Sequence, residues 1–286
     1  MTLKSLFTAL ALALAFTAPA QAQAPSDTLK KIAGKRAIAL GYRVDAAPFS
    51  FLGPDGMPSG FTVELCKRVV AGLERQLKLS GLTINWVPVT AADRIGKVVD
   101  GSIDLECGTT TVTHGRAQQV DFSSLVFVDG ASFLALAGGP TRLSQLAGQR
   151  VGVLPGSTTE ARLRAVLKER MVDARVVALK DETDAVRALV ERRIDAFAND
   201  RITLVGRVLL ARPEGAQFAM AEEDFAIEPY ALMMRRDADF RLAVNRALSQ
   251  IYAGPVIGEL YGEWFARLGK PSALLSALFV LNAFGE

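Results

Sequence analysis

A chain of 286 residues, half of them hydrophobic and 22% charged, has the balance of a globular protein. It is long enough for one large domain or two smaller ones and too apolar to be disordered over most of its length. Lys and Arg number 33 against 30 Asp and Glu, a formal charge of +3 that is too weak a bias for a nucleic-acid partner. A single histidine leaves neither a zinc site nor a Ser-His-Asp triad with the parts it needs, so no metal and no cofactor is expected.

The first predicted element is a leader. Lys4 precedes an apolar run from Ser5 to Thr17, and Ala20-Gln21-Ala22 follows with the small residues a signal peptidase reads. Residues 1–22 are expected to be removed. The run is shorter than the roughly 20 residues a bilayer span needs, so export of a soluble protein is the expectation.

AIALGY (37–42), LTINWV (82–87), IDLECG (103–108), RVGVLP (150–155), ARVVAL (174–179) and IDAFAN (194–199) read as short buried strands. Between them, Val63, Cys66, Val70, Leu73 and Leu77 recur at helical spacing, as do Leu163, Val166 and Leu167. Alternating strands and helices predict an α/β protein with mostly parallel sheets covered by helices. One such set covers about residues 30–130 and a second about 140–220. The extended stretch EPYALMMRR (228–236) then leads to helices near 238–252 and 256–267, which predicts a return to the first lobe and two strands crossing between lobes. The apolar tail SALLSALFVLNAFGE is expected to pack on a lobe.

Cys66 and Cys107 are the only cysteines. In an exported chain an even pair predicts a disulfide, with two buried free thiols as the alternative.

Ligands of open parallel sheets sit beyond the carboxyl ends of the strands. There this chain places Tyr42-Arg43, Thr90 to Arg94, Gly108 to Thr113, Gly156 to Thr159 and Asn199-Asp200. Two guanidinium groups, one or two carboxylates and many hydroxyl and peptide donors suit a zwitterion.

PFSFLGPDGMPSGFTVELCKRV resembles the periplasmic solute-binding proteins for polar amino acids. VPVTAADRIGKVVDGSIDLECGTTT and RAQQVDFSSLVFV resemble their glutamate/aspartate-binding branch, and the likeness runs in order through nearly the whole mature chain. The resemblance implies a type II periplasmic binding fold. Residues 25–133 plus 230–286 would form one discontinuous lobe and 134–229 the other, closing by hinge rotation and delivering an amino acid to an ABC importer permease. A monomer without enzymatic activity is expected, located in the periplasm.

The same resemblance implies the site. Arg94 would clamp the α-carboxylate, although read alone it is a helix-surface arginine. Thr109 and Thr111 would orient the α-groups, with helix capping as the alternative. Ser157 and Thr158 would add donors from the second lobe or serve only as turn and cap. Asp200 would pair with the α-ammonium group, or N-cap the next helix. Arg43 would meet a side-chain carboxylate. Read from the residues alone, Tyr42, Phe49 and Phe51 either wall the cleft or fill the core, and Phe49 is the one expected on the cleft. His114 is expected to be exposed in the first turn of a helix.

Glu182 departs from the pattern, standing where acidic-ligand relatives place a histidine. Either it points outward in a cap with Asp181 and Thr183, or Arg43 bridges it to the ligand, or the ligand carries a neutral amide such as glutamine. The order of expectation is glutamate and aspartate first, glutamine close behind. The competing class is a periplasmic cyclohexadienyl dehydratase on the same fold, for which Glu182 or Glu160 would have to be the general acid.

Overall fold

The computed structural model describes residues 27–211 and 215–285, so the predicted leader lies outside the described residues. The chain opens with α1 (Asp27–Lys35), β1 (Ala37–Arg43), a small three-stranded sheet of β2 (Asp45–Ala46), β3 (Ser50–Leu52) and β4 (Pro58–Ser59), then α2 (Phe61–Leu77). There follow β5 (Thr83–Val89), α3 (Arg94–Val99), β6 (Leu105–Glu106), α4 (His114–Ala117) and the long β7 (Asp121–Leu136). After a 3-10 turn at Leu143–Leu146 come β8 (Arg150–Val153), α5 (Thr158–Glu169), β9 (Arg175–Ala178), α6 (Glu182–Val190), β10 (Ala196–Asp200), α7 (Arg201–Ala211) and β11 (Phe218–Met220). The chain returns through β12 (Ala226–Met234) to α8 (Ala238–Ala253), α9 (Val256–Phe265) and α10 (Ala273–Leu281).

The main sheet runs β5-β1-β6-β12-β7-β10-β8-β9, with β11 also beside β7. β1 is parallel to β5 and β6, and β8 is parallel to β9 and β10, as the predicted βα alternation requires. The pairs β12–β6, β12–β7 and β7–β10 are antiparallel. β7 and β12 thus run between the two parallel groups as the crossing strands.

Apolar periodicity decides what each helix buries. On α2 the face Phe61, Leu65, Cys66, Val69 and Leu73 is fully buried and packs with residues of α8 and α9 in one core. Phe49 lies in that core and not on the cleft wall: it is wholly buried, with ring centroids 4.8 Å from Phe127 and 5.4 Å from both Tyr230 and Phe265. Its position in a short loop between strands concealed how many aromatic faces converge there. Leu275, Leu278 and Phe279 of α10 join the same core, so the apolar tail packs back as expected. Separate cores under β8 to β10 gather Phe133, Val151, Val153 and Leu163 on one side and Leu154, Leu179, Leu189 and Phe197 on the other.

Cys66 on α2 is disulfide-bonded to Cys107, just beyond β6, with Cα atoms 6.2 Å apart. The bond ties the first long helix to the loop that carries the threonine row. Among the described residues no helix is long and apolar enough to cross a membrane.

Candidate functional site

The loop after β6 is strapped to β12. Thr111 bridges Tyr230, the Val112 N–H donates to Pro229 O at 2.9 Å, and the Ala231 N–H donates to Thr110 O at 3.1 Å. The helix it enters, α4, is capped by Thr113, whose Oγ1 accepts from Arg116 N at 3.1 Å. Thr109 and Thr111 are therefore not caps. Thr111 Oγ1 donates to Glu228 Oε2 at 2.5 Å, and Thr109 stays half-buried on the same loop. His114 is exposed in the first turn of α4, as expected.

Arg94 opens α3 and is buried, with only 3% of its surface exposed, so the helix-surface reading fails. Its Nε completes no hydrogen bond. Burial pulls the guanidinium down to a pKa of about 10, with Glu106 opposing and Arg116 and Arg43 adding to the shift.

Arg43 ends β1 and faces two carboxylates. Its Nε and Nη2 reach Asp45 Oδ1 at 2.9 and 2.8 Å, and Nη2 lies 3.5 Å from Glu182 Oε1. Burial works against its charge, yet Asp45 and Glu182 outweigh it and hold the pKa above the ordinary value. Glu182 does not point outward. Asp181 alone caps α6, accepting from Asp184 N, while Glu182 is 2% exposed and turned toward Arg43. Burial first, and Asp45 second, raise the Glu182 carboxyl well above its usual range against the pull of Arg43. Asn199 comes near enough to favour the charged form, but neither Glu182 Oε2 nor Asn199 Nδ2 completes a hydrogen bond.

From the other side of the sheet, Ser157 caps α5 by accepting from Glu160 N at 3.1 Å, the structural half of its two expected roles. Thr158 Oγ1 donates to Glu228 Oε2 at 2.6 Å and lies 3.3 Å from Thr111 Oγ1. Asp200 ends β10 but does not cap α7, because Asp129 accepts from Ile202 N instead, at 3.1 and 3.3 Å. The Asp200 oxygens accept from Thr159 Oγ1 at 2.8 Å and, in a short bond, from Tyr230 OH. Burial and the neighbouring Glu228 raise its pKa to about 6.

Several site residues escape sequence reasoning. Glu106 is wholly buried between the two arginines, with neither oxygen completing a hydrogen bond. Burial raises its pKa, with Arg94, Thr110 and Arg43 pulling the other way. A Cβ on Gly108 would stand 2.2 Å from Glu106 Oε1, so a larger residue there would push the buried carboxyl aside. Arg116 links the threonine loop to the β8–α5 loop, with Nη1 donating to Thr111 O at 2.8 Å and Nη2 to Gly156 O at 3.2 Å. Asp45 reaches across as well, accepting from Glu182 N at 3.2 Å. The legible signal was an acid inside an apolar strand: Glu106 in LEC, Glu228 in AIEPY.

Arg43, Arg94, Thr111, Thr158, Glu182 and Asp200 thus converge on the carboxyl ends of the strands, while Glu160 pairs with Arg164 at 2.9 Å on the α5 surface. The arrangement places charged and hydroxyl groups with which a small zwitterion could pair. Among the described residues no acid, histidine or cysteine cluster suits a metal ion.

The chain is 31% identical over 274 residues to an L-glutamate/L-aspartate-binding protein of Pseudomonas aeruginosa, covering 94% of this chain and 90% of the relative. It is 30% identical to a glutamate/aspartate import solute-binding protein of Escherichia coli K12 over 88% of this chain and 84% of the relative. A solved structure described as an ancestral amino acid-binding protein, a precursor of cyclohexadienyl dehydratase, superposes with a TM-score of 0.71 at 26% identity, covering 83% of this chain and 99% of that one. The family model of the bacterial extracellular solute-binding proteins, family 3, matches residues 38–267, which with these relatives means that the chain belongs to that family.

Proposed function

We propose that the chain is the periplasmic solute-binding subunit of an ABC importer and captures a polar α-amino acid whose short side chain ends in a carboxyl or carboxamide group. The relatives' names put glutamate and aspartate first. The observation that carries the reading is the meeting of Arg94, with an unsatisfied buried Nε, and Asp200, a buried acid, beside the hydroxyls of Thr111 and Thr158. Arg94 takes the α-carboxylate in a fork and Asp200 the α-ammonium group, while Thr109, Thr111 and Thr158 orient both. Ser157 fixes the α5 terminus beside them, and Arg43 with Glu182 faces the side chain.

No covalent step is involved. The site lies between residues of both parallel groups, and rotation about β7 and β12 opens and closes it, as in hinged binding proteins. The lobes in this reading are residues 25–133 plus 230–286 and residues 134–229, and the protein acts as a monomer. A thermal-shift screen of the twenty amino acids on the mature protein tests the reading, because a ligand bound only by the native state raises the melting temperature. The expected result is a rise with one small group of polar amino acids. No rise with any of them, or turnover of prephenate, overturns it.

A further inference from the structure

We infer that the side-chain end of this site reads a carboxamide in preference to a carboxylate, and that Asp45 is the specificity-determining residue responsible. The inference rests on the reading above, that an α-amino acid binds between Arg94 and Asp200.

Among the described residues Arg43 is the only cation within ion-pair distance of Glu182, with Arg207 acting from further off, and Arg43 is already in use. Arg43 gives Nε and Nη2 to Asp45 Oδ1, and the same Nη2 is shared with Glu182. Asp45 Oδ2 accepts the Glu182 N–H, so the group Asp45–Arg43–Glu182 closes on itself across the site. All three side chains are at most 8% exposed. Two carboxylates therefore share one guanidinium, and the buried Glu106 carboxyl adds a third acid within reach of Arg43.

A ligand carboxylate entering here would meet an arginine whose charge is already answered and acids that repel it. An ammonium-ended side chain would suit the acids but stand against the arginines. A carboxamide carries no charge and offers both an acceptor and two donors. Its NH2 can donate to Glu182 Oε2, a buried oxygen that completes no hydrogen bond, and its carbonyl can accept from a guanidinium N–H that Asp45 does not use. Filling an orphaned buried acceptor removes a desolvation penalty that a second carboxylate would leave in place.

One other route admits glutamate. If Glu182 took up a proton, it would become a donor, and its burial and the neighbouring Asp45 favour the protonated form against the pull of Arg43 and Arg207. Glutamate binding by that route consumes a proton, which calorimetry detects.

The test titrates the mature protein with L-glutamine, L-glutamate and L-lysine near neutral pH, in two buffers of different ionisation enthalpy. Glutamine binding at least about tenfold tighter than glutamate, with no net proton uptake, is expected. Asp45→Asn removes one acid at nearly constant shape and should shrink that preference at least about tenfold, chiefly by strengthening glutamate. The variant's melting temperature shows whether it folds, and the wild-type comparison stands without it. Glutamate binding as tightly as glutamine, glutamate binding with proton uptake, or lysine exceeding both overturns the inference while leaving an amino-acid-binding protein. If none of the twenty amino acids binds, the functional reading itself falls.

Discussion

Arg94 and Asp200 are both buried and bear opposite charges, which makes each of them costly to leave alone. Arg94→Ala and Asp200→Ala are each expected to weaken every amino-acid ligand about equally, by roughly 2–5 kcal/mol, because the partner charge on the ligand is left buried and unpaired. Isothermal titration with several ligands checks this, and wild-type affinity in either variant would contradict the assigned pose. Asp200 also makes binding depend on pH. Its pKa is raised to about 6 from 3.8, by burial and by Glu228, against the hydrogen bonds from Tyr230 and Thr159 and the charge of Arg94. The folded state thus holds this proton more tightly than the unfolded chain, so this group's contribution to stability is lost as pH rises toward and through about 6. Pairing with an α-ammonium group requires the ionised form. Affinity is therefore expected to fall as pH drops below about 6, with a proton released on binding there, and Asp200→Asn should abolish that slope. Titrations across pH in buffers of different ionisation enthalpy measure both.

At the scale of elements, the threonine loop is held from two sides, by β12 through Thr110, Thr111 and Val112 and by α2 through the disulfide. Replacing Cys66 and Cys107 with serine is expected to cost about 2–5 kcal/mol and to loosen the loop, so that affinity falls along with stability. Urea unfolding and ligand titration of the same variant check the two effects. Helix α7 illustrates a second constraint. A Cβ on Gly206 would lie 2.5 Å from the Ala47 carbonyl oxygen, a backbone atom that cannot move aside cheaply. Gly206→Val should therefore force α7 away from the β2–β3 loop. Ligand affinity is expected to drop about tenfold or more, with a smaller loss of melting temperature, since the contact bridges the site and lies outside the cores.

For the whole molecule, Arg116 to Gly156 and Asp45 to Glu182 join residues that sit far apart along the chain and on opposite sides of the two crossing strands, and Thr158 to Glu228 ties α5 to the crossing strand β12. If these contacts form on closure, saturating ligand should reduce the radius of gyration in small-angle scattering, and Arg116→Ala should lessen the change. At a ligand concentration about a hundred times Kd, the native state should gain about 2.7 kcal/mol, visible as a rise in melting temperature.

The parallel groups, the crossing stretch EPYALMM, the α8 and α9 positions and the cysteine pair were all legible in the chain, because apolar periodicity and the parity of two cysteines are local or countable signals. Arg43, Arg94 and Asp200 were legible as candidates because strand ends can be located from the same periodicity. Their partners were not. Asp45 lies two residues from Arg43, but Glu182 reaches it from a sequence distance that only packing closes. The capping of α7 by Asp129 in place of Asp200, and the burial of Phe49 among four aromatic rings, follow from β7, β12 and α9 meeting in space. Composition and spacing determined which kind of fold and which kind of ligand this chain could have. Tertiary structure alone decided which acid faces which arginine, because electrostatic pairing depends on distances between segments, and those are set only when the cores close.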